Sequence, residues 1–303
     1  MNPPRSPHLR AALLMLGSTL FFGLMAVAIR LASESLHTFQ IAFFRNFFGL
    51  LAALPLLLRH GPDLLRTTQL PRYVVRCAIG IVSMMCGFWA IGHLPLAQAV
   101  ALSYSTPIFV TIAAVIFLHE QVRARRWAAV ALGFVGVLII VRPGTEGFSA
   151  GTLVALAAAV LSGIVSIQIK QLSRTEPADR IVLFTTLLWV PMSLLPALAV
   201  WEWPHGIVWL WVIAAGVLGT GGHMLWTRAL KLGDVSALTP ISFMQLPIVA
   251  LAGWLLFQER LDRWTVVGAA VIFAANVYIA HREAQLSRRA ATSAPVEAAK
   301  PGE

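Results

Sequence analysis

Charge is what this chain has least of. Of its 303 residues only 12% are charged, and Asp and Glu together number 13. A soluble domain of this length would need about twice that charged fraction to cover itself with water-compatible groups. The deficit excludes an ordinary water-facing exterior, whereas a surface turned to lipid needs no charge. Cysteine is scarce as well: Cys77 and Cys86 lie in one apolar run, form no CxxC pair, and read as small buried hydrophobes. Catalytic signatures are thin. There is no HExxH, the histidines lack ligand spacing, and Asp63, Asp179, Asp234 and Asp262 fall in loops or at helix ends. Neither a metal site, a buried carboxylate dyad nor a serine-nucleophile motif is expected, so the chain is not read as an enzyme and no cofactor is implied.

What is abundant is apolar sequence: 58% hydrophobic residues and a mean hydropathy of +0.78. A helix needs about 20 such residues to cross a bilayer. Ten runs satisfy this: Ala11–Leu31, Thr38–Leu58, Arg72–Gly92, Ala97–Leu118, Arg126–Val141, Gly151–Leu172, Arg180–Trp201, Ile207–Arg228, Val235–Phe257 and Trp264–His281. The fold expected is therefore an all-α membrane protein of ten transmembrane helices. The net charge of +10 sits in short clusters between these runs, which reads as membrane topology and not as a nucleic-acid surface. With the N-terminus inside, 18 Lys and Arg residues fall on the cytoplasmic side and 4 outside, leaving Arg45 within the second span. The positive-inside rule then places both termini in the cytoplasm of a multi-pass inner-membrane protein. No cleavable signal peptide is expected, and residues 282–303 read as a disordered cytoplasmic tail.

The two halves match at a nearly fixed offset. At 140 residues Gly23 meets Gly163, Arg30 meets Lys170, Ser33 meets Ser173 and Phe44 meets Phe184; at 139, Ala90 meets Ala229, Ser103 meets Ser242 and Glu120 meets Glu259. Five spans per copy is an odd number, so the second copy (residues 151–281) is expected to lie inverted relative to the first (residues 11–142). Inverted repeats are a common architecture of alternating-access carriers.

These residues resemble the drug/metabolite transporter superfamily, EamA type. The marks are Ser103-Tyr104-Ser105-Thr106-Pro107 running on to Glu120 and Trp127, and a second copy from Ser242 through Pro247 to Glu259 and Trp264. Within it, the stretch from Leu36 to Arg45 is similar to the second-helix motif of bacterial S-adenosylmethionine uptake carriers. The resemblance implies a secondary transporter of a small polar metabolite, S-adenosylmethionine or an amino-acid-like solute. Export of amino acids, vitamins or drugs is the alternative, and a channel would need a filter that the sequence does not show. The bilayer and a small-molecule substrate are the partners implied, and a homodimer is one assembly the reading allows.

Candidate site residues follow from the polar and kinked positions. Pro107 and Pro247 each remove a helical N–H in mid-span, freeing the carbonyls of Ser103 and Phe243, and Pro240 frees that of Ser236. Ser103 and Thr106 share one helix face, as do Ser242 and Gln245, which suits a cavity or a helix–helix seam. Tyr104 joins them through the motif. Arg45 offers a bidentate clamp for a carboxylate or phosphate, or else is a structural arginine holding helix-end carbonyls or one reaching the outer interface. His223 follows Gly219-Thr220-Gly221-Gly222, a hinge or lining element, and offers a proton carrier or a packing residue. Trp89 and Met244, with Trp226, offer apolar walls for a ring. Arg30 and Lys170 read as interface anchors, and Glu120 and Glu259 as caps for the helices that follow them.

Overall fold

A computed structural model describes residues 7–58, 67–119, 124–145, 149–232 and 235–293, and every regular element among them is helical. In chain order these are α1 Pro7–Ala32, α2 Thr38–Leu58, α3 Leu70–His93, α4 Leu96–Ser103, α5 Thr106–Leu118, α6 Ala124–Val141, α7 Ala150–Leu172, α8 Ala178–Leu198, α9 Val208–Leu232, α10 Val235–Ser242, α11 Gln245–Phe257 and α12 Arg263–Ser293. Among the described residues eight helical stretches are long and apolar enough to cross a membrane. Two further apolar helices, Thr38–Leu54 and Trp127–Val141, are shorter.

The solvent these helices expect is visible on α1. Leu13, Leu16, Leu20 and Leu24 are exposed at helical spacing, while Ser18 and Thr19 are buried. Large apolar side chains outside and small or polar ones inside reverse the soluble pattern, and lipid is the environment in which that is stable. The chain is a multi-pass α-helical membrane protein.

Two expected spans are broken. The fourth divides into α4 and α5 at Tyr104-Ser105, and the ninth into α10 and α11 at Phe243-Met244. Proline alone does not do this, because α8 carries Pro191 and Pro196 without dividing, a feature the sequence reading does not anticipate. At each break the backbone tightens to i→i+3 bonds, Tyr104 N–H to Ala101 O at 3.2 Å and Met244 N–H to Ile241 O at 3.0 Å. The last helix also differs from expectation. α12 continues to Ser293, where a disordered tail is expected from Arg282, because Ala, Glu, Gln, Leu and Arg dominate this stretch and all favour helix. Residues 294–303, Asp63, Asp234 and Glu120 with its expected capping role lie outside the described residues.

Glycine sets how closely the helices approach. A Cβ on Gly136 would stand 2.8 Å from Gly268 O, and one on Gly268 2.6 Å from Gly136 O, so α6 and α12 meet backbone to backbone. The Gly219–Gly222 cluster is a packing surface as well as a cavity edge. Gly221 and Gly222 make room for the rings of Phe21 and Phe22 on α1, and Gly219 for the guanidinium of Arg45.

Polar ties close the ends of the bundle. Arg30, expected as an interface anchor, donates to the carbonyl of Ile91 at 2.9 Å and pairs with Glu259 at 3.4 Å. Glu259 accepts the Leu96 N–H at 2.7 Å, so it caps α4 and not the helix after it. That helix, α12, is capped by Asp262, the residue directly before it, through the Thr265 N–H at 3.2 Å. On the loop between α7 and α8, buried Glu176 accepts from Thr67 and Arg180, each at 2.7 Å. Burial pushes the Glu176 carboxyl up, but the Arg180 and Thr67 hydrogen bonds and the Arg180 charge outweigh it and leave the carboxyl below its ordinary value. A depressed folded value stabilises the ionised tie above the usual glutamate range and loses it as pH falls through the depressed value. Thermal stability of the purified protein should therefore fall on acidification below about pH 4.5, the ordinary glutamate value, and Glu176→Gln should flatten that dependence; equal slopes in the two proteins would contradict the role.

Candidate functional site

A cavity of about 450 Å³ lies within the bundle. Most of its wall comes from α3, between Arg76 and Ile91, and from α7, between Ala155 and Ser166. The first span adds Phe22, Met25 and Ala26, the second Arg45, and the broken fourth span Ala99, Val100, Ser103 and Thr106. His223 and Gln245 come from the eighth and ninth spans, and Trp189 from the seventh.

The broken helices explain why polar atoms gather here. Pro107 leaves the Ser103 carbonyl without its helical N–H, and the Thr106 hydroxyl donates to it at 2.8 Å. The Phe243 carbonyl, freed by Pro247, accepts the Leu246 N–H at 3.0 Å. Tyr104 joins the two breaks. Its hydroxyl donates to Ser242 O at 2.5 Å and stands 3.3 Å from Gln245 Oε1, while its ring stacks on Phe243 with centroids 4.1 Å apart. The Tyr104 carbonyl in turn accepts Asn276 Nδ2 of α12 at 2.8 Å. The bonds to the carbonyls of Ser103, Tyr104, Ser242 and Phe243 satisfy backbone groups that the bilayer could not.

Of the residues singled out from sequence, Arg45, Ser103, Thr106, His223 and Gln245 line the cavity. Trp89, Tyr104, Ser242 and Met244 are not among its lining. Trp89 stacks on His93 at 3.9 Å, Met244 is exposed, and Tyr104 and Ser242 bond each other between the breaks. The Met244 position is the second residue of the break, and its side chain leaves the bundle while Gln245 turns in. His223 lies edge-on to Phe22 with centroids 5.0 Å apart.

Arg45 is 8% exposed, so it does not reach an outer interface. It donates to Asn46 Oδ1 at 3.1 Å, and Asn46 Nδ2 donates to Ser193 Oγ at 3.2 Å, tying α2 to α8. Four groups escape the sequence reading. Arg76 counts there only as a cytoplasmic charge at the end of the third span, yet it is buried in the second turn of α3, donates to Thr185 Oγ1 and lies 5.7 Å over the Trp189 ring. Ser83 donates to Ala158 O at 2.8 Å and meets Ser162 Oγ at 2.8 Å, so the α3–α7 wall is polar. Trp189 fits against α3 because Gly80 has no side chain. Asn276 was legible in principle, as an amide inside an otherwise apolar span.

Among the described residues no cluster of His, Cys, Asp and Glu is placed to hold a metal ion. One pattern with catalytic associations does occur, contrary to expectation: Gly147-Phe148-Ser149-Ala150-Gly151 reads GxSxG. A nucleophile elbow joins a strand to a helix. Here Ser149 is the extended residue before α7, and its hydroxyl shares a hydrogen bond with Thr152 at 3.1 Å. It is the start of a membrane helix.

Removing the Asn276 amide should loosen the site without touching the cavity. Asn276→Leu leaves the Tyr104 carbonyl unpaired at the break and is expected to cost about 1–3 kcal/mol of stability. Thermal unfolding of the detergent-solubilised protein measures this; an unchanged midpoint would mean the break satisfies itself.

The sequence model of the EamA-like transporter family matches residues 9–142 and again residues 149–280. A riboflavin transporter of Vibrio cholerae is 31% identical over 286 residues, covering 93% of this chain and 96% of its own. An S-adenosylmethionine uptake transporter of Rickettsia felis is 28% identical, covering 84% and 86%. A pseudopaline exporter of Pseudomonas aeruginosa is 29% identical, covering 84% and 90%. A solved crystal structure superposes with a TM-score of 0.62 at 23% identity, covering 92% of this chain and 98% of its own, which is a likeness of fold alone.

Proposed function

The chain belongs to the EamA-like transporter family, and on that premise we propose that it is a secondary carrier moving a ring-bearing metabolite through the central cavity by alternating access. Membership makes it a small-molecule transporter of the membrane and not an enzyme. The carrier mechanism, the cargo and the topology are what is proposed.

The observation that carries the reading is the pair of broken spans. Each has a two-residue break followed by a helix of 13 residues, α5 and α11, and each ends in a left-handed residue at φ 53°, His119 and Gln258. The turns after α1 and α7 have the same length, Ser33–His37 and Ser173–Pro177. These equalities support ten spans in two inverted repeats, with α2 and α6 as the shorter members; the reading that both termini are cytoplasmic rests on the excess of Lys and Arg on one side. Broken helices put backbone groups outside the helical ladder, and polar side chains, at mid-bilayer, where an inverted-repeat carrier holds its cargo. Phe22, Phe88 and Trp189 suit an aromatic body, and Ser83, Ser103, Thr106 and Gln245 suit its polar edge.

Relatives named for riboflavin, S-adenosylmethionine and pseudopaline differ in cargo and in direction, so a panel decides. Proteoliposomes should take up one of labelled riboflavin, S-adenosylmethionine, tryptophan or the ring-bearing anion indole-3-acetate with saturation and counter-exchange. Gln245→Leu and Thr106→Val should each lower saturable uptake about fivefold to tenfold, the loss of roughly one hydrogen bond. Wild-type uptake in both variants would remove the cavity from the transport path, and ion conductance without saturation would make the protein a channel.

A further inference from the structure

We propose that the cavity selects an organic anion, with Arg45 and Arg76 as the two groups that read its charge; this deepens the carrier reading and rests on it. Both side chains line the same cavity, from α2 and α3, and both are buried, at 8% and 6% exposure. Neither has an acidic partner among the described residues: the ion pairs there are Arg30–Glu259, Arg142–Asp262 and Arg180–Glu176. Among the described residues no carboxylate lines the cavity. The partners the two guanidiniums do have are neutral. Arg45 meets the Asn46 amide, and Arg76 meets the Thr185 hydroxyl, Cys77 Sγ at 3.8 Å and the face of Trp189.

A guanidinium keeps its proton in proteins and carries five donors. Hydroxyl, amide and ring contacts orient that charge but do not neutralise it, and Nε of both arginines has no partner. Trp189 Nε1, beside Arg76, is also an unpartnered buried donor. Donors in excess, acceptors in deficit and two uncompensated positive charges facing one space describe a site completed by a ligand that brings acceptors and negative charge. A carboxylate or phosphate does this in bidentate geometry. Purely structural arginines in a membrane interior are instead expected to pair with acids or carbonyls, or to reach the interface. Neither route is open here: Arg45 and Arg76 are held in the wall by Asn46 and Thr185. The sign of the site also discriminates between cargos. S-adenosylmethionine has a sulfonium and an ammonium against one carboxylate, a net cation at neutral pH, and two arginines without a counter-charge repel it.

The potential inside the cavity is measurable without knowing the cargo. In a Cys77→Ala/Cys86→Ala background, Ser162→Cys and Ser103→Cys place single thiols in the wall. Their reaction rates with sulfonatoethyl and trimethylammonioethyl methanethiosulfonate, relative to a free small thiol, report the local sign. The anionic reagent should be favoured about tenfold or more. That preference should fall at least about threefold in Arg45→Gln and in Arg76→Gln, and stay unchanged in Arg174→Gln on the exposed loop. A preference at or below that of the free thiol, or one indifferent to both arginines, overturns the proposal. Saturable S-adenosylmethionine uptake undiminished by Arg76→Gln would also overturn it while leaving the carrier reading intact. Failure of neutral methyl methanethiosulfonate to reach either cysteine would remove the cavity, and the carrier reading with it.

Discussion

Gly216→Ala is expected to abolish most of the folded, monodisperse protein, with a loss of about 3 kcal/mol or more, at the upper end of overpacking costs. The added Cβ would stand 2.6 Å from Phe48 Cβ, 2.9 Å from Gly49 N and 3.0 Å from Arg45 O. None of these is the tip of a flexible side chain. Relief requires α2 and α9 to separate, and Arg45, whose own carbonyl is one of the three contacts, moves with α2. Stability and the cavity should therefore fail together. Gly87→Ala is the matched control, since its Cβ would find only Ala158 Cβ at an ordinary 3.9 Å. There the gain in helix propensity should leave stability unchanged or slightly raised. Size-exclusion profiles and thermal unfolding of the two variants measure the contrast; equal behaviour would refute the close approach of α2 to α9.

Glu259→Leu should be nearly as costly, about 3 kcal/mol, for a different reason. Glu259 serves two partners from distant parts of the chain, the Arg30 guanidinium at 3.4 Å and the Leu96 N–H at 2.7 Å. Its side chain is 16% exposed and that of Arg30 21%, so water compensates little when the carboxylate goes. Leucine leaves a partly buried cation and an uncapped helix start, and breaking such a pair by one partner costs more than removing both. The Arg30→Gln/Glu259→Gln double-mutant cycle should accordingly show a coupling of about 1–3 kcal/mol. Additive effects would mean the two residues act independently.

How much of this was legible in sequence depends on how local the cause was. Pro107 and Pro247 announced the freed carbonyls, because a missing N–H is a property of one residue, but not the breaks themselves, since Pro191 and Pro196 leave α8 undivided. The partners that repair the breaks were not legible, because Tyr104 reaches Ser242 across 138 residues and Asn276 reaches Tyr104 across 172. Arg76 was hidden by a boundary. A charge seven residues into a helix reads as a membrane-face residue, and only the packing of α3 against α8 shows it turned inward onto Trp189. Glu259 looked like a cap and is one, but for a helix in the other half. The glycine cluster before His223 signalled flexibility, whereas Phe21 and Phe22, about four helical turns into α1, fill the space it leaves. Composition and periodicity thus give the solvent and the spans; contacts between the halves give the site.

The central claim is that the space between the broken helices opens to each side of the membrane in turn. A single cysteine at Thr106, in a Cys77→Ala/Cys86→Ala background, tests it with a membrane-impermeant thiol reagent applied separately from either face of oriented vesicles. The account predicts modification from both faces, with uptake lost once the residue is modified. Reaction from one face alone, or modified protein that transports as before, would contradict it.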